Sequence, residues 1–581
     1  TTKWHAHTVK FFKNLSRTQY LNHVKTKDPW MISLRDKKLL KSIDTPFDKS
    51  MHNVDVRNIS SKRGYHNIQN VGFFFWRIQP LPVVNATAFQ HDLNGRFYFS
   101  QTGHDTQLFN YPHTENNFNH ITEEHNLPIP IDVDMLRNDL VKEDSKYYSD
   151  KLPNTKAITV IADGKPISQE DIVSCDLSQW QDFEPKKDKV AIDPTLGRIY
   201  FPTNRIPNKV RVIYYYGLPS EIGSGFFKRE SFDSLQQTSD DELCEYLVSS
   251  RDPSSKTSNN ITDAITKLNE DNPKKAVILI KDSETYDESI SVLIPKNCQF
   301  LYIRADPGQR PTILTDSQIT MKSKSKNSHV EFDGLLIARK GNVTSSDPLV
   351  KINPTSKIGE IILRYCTLVP TYLMNNGGQK SKVFPSVTVG SGNNLLKMTV
   401  THSITGPITS SNTRSSFTIQ DSILDGSKDS PSLISHIANL KNTTIFGPVT
   451  VDRVDATNTL FDEPIVATRT QEGCVRFCYL PEGSKTPMPY RCPPNYLNSS
   501  KDISNDMKLK IKPRFTSKMF GHFSYAQLHT STAKQISEGG DNESELGVYN
   551  SLYQPQRLHN FMDGLDEYVR FGTQAGVFFI T

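Results

Sequence analysis

Thr401-His402-Ser403-Ile404-Thr405, Gln420-Asp421-Ser422-Ile423-Leu424, Asn442-Thr443-Thr444-Ile445-Phe446 and Thr457-Asn458-Thr459-Leu460-Phe461 are four versions of one phrase. A strand leads into a small or polar residue, then Ser, Thr or Gly, then two mostly apolar residues. Two earlier versions are Phe332-Asp333-Gly334-Leu335-Leu336 and Tyr365-Cys366-Thr367-Leu368-Val369. Successive phrases start about 33, 36, 19, 22 and 15 residues apart. The shorter steps suit one coil of a solenoid, and the longer ones suit coils that carry inserted loops, such as residues 375–382. Stacked coils place each strand above the last, so inward positions merge into one apolar column that no single coil could bury. The Ser, Thr, Asn or Gly at each bend supplies a local hydrogen bond or an unusual backbone angle. Residues 286–295 and 298–303 supply earlier coils. The reading is a right-handed parallel β-helix over residues 273–470. An antiparallel sandwich would instead require hairpin turns and no shared phrase.

Working outward, 581 residues imply three to five domains at roughly 100–200 residues each. The expected fold is mainly β and multidomain, with a β-rich N-terminal half and a short helical N-terminus. Residues 1–50 form a helical segment, from the three- and four-residue spacing of Val9, Phe11, Phe12 and Leu15 and a second helix capped by Ser33. Residues 51–225 are β-rich. There Val71 to Ile78 reads as a strand buried on both faces and ended by Pro80 and Pro82, while Asp163-Gly164 and the 193–197 stretch read as turns. Residues 226–272 are a polar linker followed by a helix with Ile261, Ile265 and Leu268 on one side, placed to cap the solenoid. Residues 471–581 form a mixed C-terminal domain.

The chemistry-bearing residues point away from catalysis. Glycoside hydrolysis needs two carboxyl groups facing each other across the bond. Asp333 and Asp421 share one phrase position, but Cys366 and His402 stand between them in the row, so the row is not an acidic cluster. Gly103-His104-Asp105 and Gly521-His522-Phe523 only partly resemble a polygalacturonase Gly-His-Gly and fall outside the repeat. His402 reads as a bend residue making a local bond. His5, His7 and His23 read as a solvated face, and Asp240-Asp241-Glu242 as a solvated loop. Cys474, Cys478 and Cys492 lack the paired spacing of a structural zinc site, and the other cysteines read as small buried apolar residues. No phosphate loop, nucleophile elbow or dinucleotide fingerprint is present. No catalytic, cofactor-binding or metal-binding residue is therefore assigned, and no cofactor is expected. Charge is near balance, 68 basic against 63 acidic residues, or +5. The Lys186-Lys187 pair and the 508–512 stretch read as solvated faces, so no nucleic-acid partner is expected. No run approaches the ~20 apolar residues of a membrane span.

Three stretches together with the repeat between them carry a resemblance. The first joins His52-Asn53-Val54-Asp55-Val56-Arg57 to the run from Asn67 through Phe73-Phe74-Phe75-Trp76-Arg77. The second is Gln471-Glu472-Gly473-Cys474-Val475-Arg476-Phe477-Cys478-Tyr479-Leu480-Pro481, continuing to Tyr490-Arg491-Cys492. The third runs from Asp566-Glu567-Tyr568 to Val577-Phe578-Phe579-Ile580-Thr581. The chain resembles a family of β-helix-containing proteins encoded with phage-tail-like, extracellular contractile injection systems, a group defined by gene neighbourhood rather than chemistry. The resemblance implies a structural, non-enzymatic component in or attached to the baseplate. It also implies contacts with baseplate, tube or sheath subunits, six copies or a multiple, and synthesis in the bacterial cytoplasm before incorporation into a released or membrane-anchored particle. A tailspike-like protein that binds or cleaves surface glycans and a stand-alone β-helix adhesin remain as alternatives. The aromatic segments Phe73 to Trp76 and Tyr568 to Phe579 are read as packing surfaces, either within the chain or between subunits.

Overall fold

The computed structural model describes residues 70–113, 122–153, 156–181, 184–185, 188–227, 229, 243–251, 257–341, 347–374, 380–392, 395–494, 510–569 and 574–580. The 1–50 segment therefore lies outside the described residues, as do His5, His7, His23, Lys186, Lys187 and the Asp240-Asp241-Glu242 run. The chain divides into two compact units.

The smaller unit draws on both ends of the chain. Strand Asn70–Phe75 pairs in parallel with Gln574–Phe579 in a two-stranded sheet. Phe561, on the helix Gln554–Tyr568, packs edge-on against Phe73 and Phe75, with centroids at 5.2 and 4.8 Å, and Phe74 stacks on Phe578 at 5.1 Å. The aromatic run is thus not buried on both faces: Phe73, Phe74, Phe75 and Trp76 are half-buried and Gly72 is exposed. Among the described residues, Phe561 packs on the side of Phe73 and Phe75, and Phe578 stacks on Phe74.

In the larger unit a β-module precedes the repeat. Its four-stranded sheet runs in the order Gln79–Thr87, Val210–Leu218, Thr159–Ala162, Lys165–Pro166. Its five-stranded sheet runs Phe89–Gln90, Arg96–Tyr98, Arg198–Tyr200, Val190–Asp193, Ile172–Ser174. Phe97, Phe99, Val160, Ile192, Phe201 and Val212 fill the core they share. Pro80 and Pro82 do not end a strand but lie in an edge strand, where a missing N–H is tolerated. Both expected turns form. Asp163 and Gly164 take φ of 45° and 85° in a hairpin, and Asp193 Oδ1 accepts from the N–H groups of Thr195 and Leu196 at 2.9 and 3.2 Å.

The repeat region forms one 18-stranded and one 8-stranded sheet in which nearly all pairings are parallel, each strand meeting its counterpart one repeat later. One ladder passes through Phe300–Ala305, Ser328–Asp333, Ile358–Arg364, Leu396–Thr401 and Ser415–Gln420. A second passes through Thr312–Thr315, Leu336–Arg339, Thr367–Leu368, Ile404–Thr405, Ile423–Asp425, Thr444–Phe446 and Leu460–Phe461. The third passes through Ile319–Ser323, Val350–Ile352, Val387–Val389 and Ile408–Ser410. Alternation along each strand puts residues such as Ile303, Phe332, Leu363, Val400, Ile419 and Leu440 into a single continuous core. The chain is mainly β, and these large parallel sheets are consistent with a β-helix. An antiparallel hairpin pairs Thr371–Met374 with Lys380–Phe384, so residues 380–382 of the stretch read as an inserted loop form a strand.

The parallel ladder outruns residues 273–470 at both ends. It begins at Leu243–Val248, which pairs with Lys275–Ile280, and closes with Gly473–Arg476 and Pro489–Tyr490. Cys244, Tyr246 and Val248 alternate with Leu243, Glu245 and Leu247, a strand pattern inside what reads as a polar linker. The helix Ile261–Asp271 is capped by Asn260, whose side chain accepts from the Asp263 N–H, and ends at Asn272 in the left-handed region. It buries Ile261, Ala264, Ile265 and Leu268 in the same core, against the first strands of the stack.

Candidate functional site

The bend of the phrase is built from two adjacent residues with different tasks. The first sits in the left-handed region: Gly334, Tyr365, His402, Asp421, Asn442, Asn458, Phe477 and Arg491 have φ of 76°, 48°, 47°, 47°, 49°, 52°, 50° and 49°. The backbone register joins them into one column, for the N–H of Tyr365 reaches Thr401 O, that of His402 reaches Gln420 O, and that of Asp421 reaches Lys441 O. The second residue points inward: Leu335, Cys366, Ser403, Ser422, Thr443, Thr459, Cys478 and Cys492 are all at most 1% exposed. Seven of these carry a hydroxyl or thiol bonded to the carbonyl two residues back. Examples are Ser403 Oγ to Thr401 O at 2.8 Å, Ser422 Oγ to Gln420 O at 2.6 Å and Cys478 Sγ to Arg476 O at 3.1 Å. At these seven bends the buried inward side chain is therefore satisfied locally.

This register corrects the row read from the sequence. Asp333 and Asp421 do not share a position. Asp333 is a strand residue stacked between Arg304 and Arg364, whereas Asp421 is a left-handed bend residue that stacks on His402 and Asn442. His402 is a bend residue, ring-stacked on Tyr365 at 4.9 Å, with Nε2 at 3.9 Å from Asp421. The column continues through Asn442 Nδ2 to Asp421 Oδ1 at 2.9 Å and Asn458 Nδ2 to Asn442 Oδ1 at 3.2 Å. Segments outside the stack meet it at both ends. Phe227 lies 5.8 Å from the Tyr365 ring, and Asp541 exchanges two bonds with Asn458, at 2.6 and 3.0 Å.

The outer side of the eight-stranded sheet is covered by other segments of the chain. Ile404, Ile423, Phe446 and Leu460 point away from the core yet are buried, because residues 218–227 and 511–552 lie over them. The two apolar residues of the phrase thus serve two layers, one inside the stack and one beneath the covering chain. Threonines in the same sheet bind those covers directly: Thr367 Oγ1 accepts from Ser224 N at 2.8 Å and Thr444 Oγ1 from Val548 N at 3.0 Å.

Three carboxylates, each at most 1% exposed, fasten separate segments to the stack. Glu284 accepts from Thr87 Oγ1 at 2.5 Å and pairs with Lys209 at 3.0 Å, Arg211 at 2.7 Å and Arg251 at 3.3 Å. Three of these partners belong to the N-terminal β-module. Burial works against the charge of Glu284, but the Thr87 hydroxyl and the Lys209 and Arg211 cations outweigh it and hold the carboxyl below its usual range. Asp333 accepts two bonds from Arg304, at 3.1 and 2.7 Å, and has Arg229 Nε at 3.8 Å. Arg229 occupies the space that a side chain at Gly334 would need, since a Cβ there would stand 1.4 Å from its Nη1. Its Nη2 donates to Asp306 O at 2.9 Å. Asp425 binds Lys380, from the inserted hairpin, and accepts from Tyr525 Oη at 2.8 Å. Burial pushes its pKa up, against the pull of those two partners.

The remaining sequence candidates are dispersed. The two partial Gly-His motifs meet each other: a Cβ on Gly521 would lie 2.9 Å from His104 Nε2, and Phe520 packs on the His104 ring at 5.3 Å. Cys478 and Cys492 stack in the inward row, with the Cys478 N–H 3.4 Å from Cys492 Sγ, while Cys474 faces out. Cys298 and Cys366 are buried as expected, but Cys175 and Cys244 are only half-buried. Lys510 and Lys512 are exposed. Among the described residues, no group of three His, Cys, Asp or Glu is arranged to hold a metal ion, and no helix is long and apolar enough to cross a membrane. Sequence reasoning missed the carboxylate fasteners because their partners lie far away along the chain. No family model matches this sequence, and no curated protein does.

Proposed function

We propose that this chain is a structural, non-enzymatic component of a contractile phage-tail-like injection particle, in or attached to its baseplate, and that its central stack is a right-handed parallel β-helix acting as a rigid mount. The observation that carries this reading is the use made of the buried carboxylates. Glu284, Asp333 and Asp425 are each committed to Arg or Lys partners that hold a module, a linker or a hairpin on the stack. Groups so engaged serve cohesion between segments and are not themselves placed as an opposed acid and base for bond cleavage. The resemblance of the N-terminal, 471–492 and C-terminal stretches supports the particle assignment, with six copies or a multiple contacting baseplate, tube or sheath subunits. Reconstruction of purified particles with this subunit labelled tests it. Ordered density at a fixed symmetric position is expected. Absence from particles, together with normal assembly and contraction in a deletion strain, refutes it.

A glycan-binding reading draws on the outer polar rows of the large sheet, where Thr388 and Thr409 are linked at 3.0 Å and Ser291 and Thr320 at 3.0 Å in register. A glycan array and a reducing-sugar assay distinguish it: turnover lost on substituting acidic residues along one face favours a tailspike-like protein.

A further inference from the structure

A cavity of about 60 Å³, lined by apolar side chains together with hydroxyl, phenol, imidazole and guanidinium groups, lies where the N-terminal β-module, the eight-stranded sheet and the 510–555 segment meet. That is several times the roughly 10–15 Å³ needed for one water. Its lining is rich in donors and carries a positive charge. Arg310 enters from the stack, with its guanidinium 5.2 Å from the centre of the Tyr216 ring and Nε 3.4 Å from Ser224 Oγ. Tyr214, 2% exposed, also lines the cavity, and the charge of the same guanidinium acts on its phenol. Thr106, 7% exposed, is among the lining residues, and its buried hydroxyl has no hydrogen-bond partner. His104 completes the wall, its Nδ1 2.6 Å from Thr102 Oγ1 and 3.1 Å from Ser100 Oγ. Burial first and the Arg310 charge second hold its pKa down to about 4, so the imidazole is neutral and able to donate one N–H. Glu221, the acidic residue whose charge reaches Tyr216, is exposed.

A guanidinium beside buried phenol, hydroxyl and imidazole groups matches an acceptor-only guest with several lone pairs. We propose that this cavity is a binding site for a small oxyanion of the phosphate class, held by Arg310, Tyr214 and Thr106. Because the lining comes from three separate segments, the bound ion ties them together and stabilises their packing. This inference stands independently of the particle assignment.

The test uses the full chain. Thermal unfolding and isothermal calorimetry are run with inorganic phosphate, with sulfate, and with chloride at matched ionic strength. Phosphate is expected to raise the melting temperature above the chloride value by mass action and to bind with measurable heat. Arg310→Gln should weaken phosphate affinity by about tenfold or more, the loss of a charge-assisted contact. Thr106→Val and Tyr214→Phe, which keep the charge and nearly the same shape, should each weaken it several-fold. Should Arg310→Gln fail to fold, those two variants decide the matter. Equal melting temperatures in phosphate and chloride with no binding heat overturn the proposal. So does undiminished affinity in Thr106→Val and Tyr214→Phe.

Discussion

Replacing Gly334 by Ala probes the joint between the linker and the stack. Two costs arise at one atom. Alanine at φ of +76° pays the left-handed penalty, roughly 1–2 kcal/mol. Its Cβ also claims space 1.4 Å from Arg229 Nη1, so the guanidinium must leave. Asp333 then loses one of its two cationic neighbours within a fully buried site, and removing one member of such a set costs roughly 3–5 kcal/mol. The Gly334→Ala chain is therefore expected to lose about 4 kcal/mol or more. In an Arg229→Ala background the second cost has already been incurred, and Gly334→Ala should cost only the backbone penalty of roughly 1–2 kcal/mol. Urea unfolding of the four proteins, followed by circular dichroism and tryptophan fluorescence, measures this coupling. Agreement between the two probes licenses the free-energy comparison. Equal costs for Gly334→Ala in both backgrounds would refute the reasoning, because they would show that Arg229 does not fill the bend.

Ser403→Ala removes the acceptor of the buried Cys366 N–H, which lies 3.0 Å from Ser403 Oγ, and should cost roughly 1–3 kcal/mol in urea unfolding. Ser403→Cys should recover most of that loss, since thiols already fill the same position at Cys366, Cys478 and Cys492. Asn458→Gly keeps the left-handed backbone but deletes both bonds to Asp541; the expected result is several-fold faster tryptic cleavage at the exposed Lys534. Glu284 sets an acid limit. Its carboxyl titrates lower in the folded chain than its ordinary value of 4.5, so the unfolded state binds more protons between the two values. Stability from this group is complete above about 4.5 and falls as pH drops through the folded value. Glu284→Gln should therefore flatten the loss of thermal stability below that pH and lower stability at neutrality.

The strands of the repeat were legible because inward Ile, Val, Leu and Phe alternate with outward polar residues, a pattern that depends only on neighbours in sequence. The register of the bends was not. The left-handed position is filled by Gly, Tyr, His, Asp, Asn, Phe and Arg, which share a backbone angle but no side-chain chemistry. Aligning the phrases by composition therefore set Asp333 beside Asp421, one residue out of step. The residue after each bend was the better marker, since Ser, Thr or Cys there bonds to the carbonyl two positions back. By that marker Arg476-Phe477-Cys478 and Tyr490-Arg491-Cys492 belong to the repeat and extend it past residue 470. The fasteners had no sequence signature, because Glu284 finds Thr87, Lys209 and Arg211 only after two modules have come together. The cavity behind His104 is of the same kind: two incomplete Gly-His fragments, more than 400 residues apart in the chain, are neighbours only in three dimensions.

The final ladder strand, Pro489–Tyr490, begins with a residue that has no N–H and is followed by Cys492, Pro493 and Pro494. A further strand arriving at this rim would find donors missing where it needs them. At the opposite rim, the helix Ile261–Asp271 packs on the opening strands. Identical copies are thereby discouraged from joining tip to tip into fibres. The outward rows of the large sheet carry polar side chains at a regular spacing set by the strands, as Thr388 over Thr409 and Ser291 over Thr320 show.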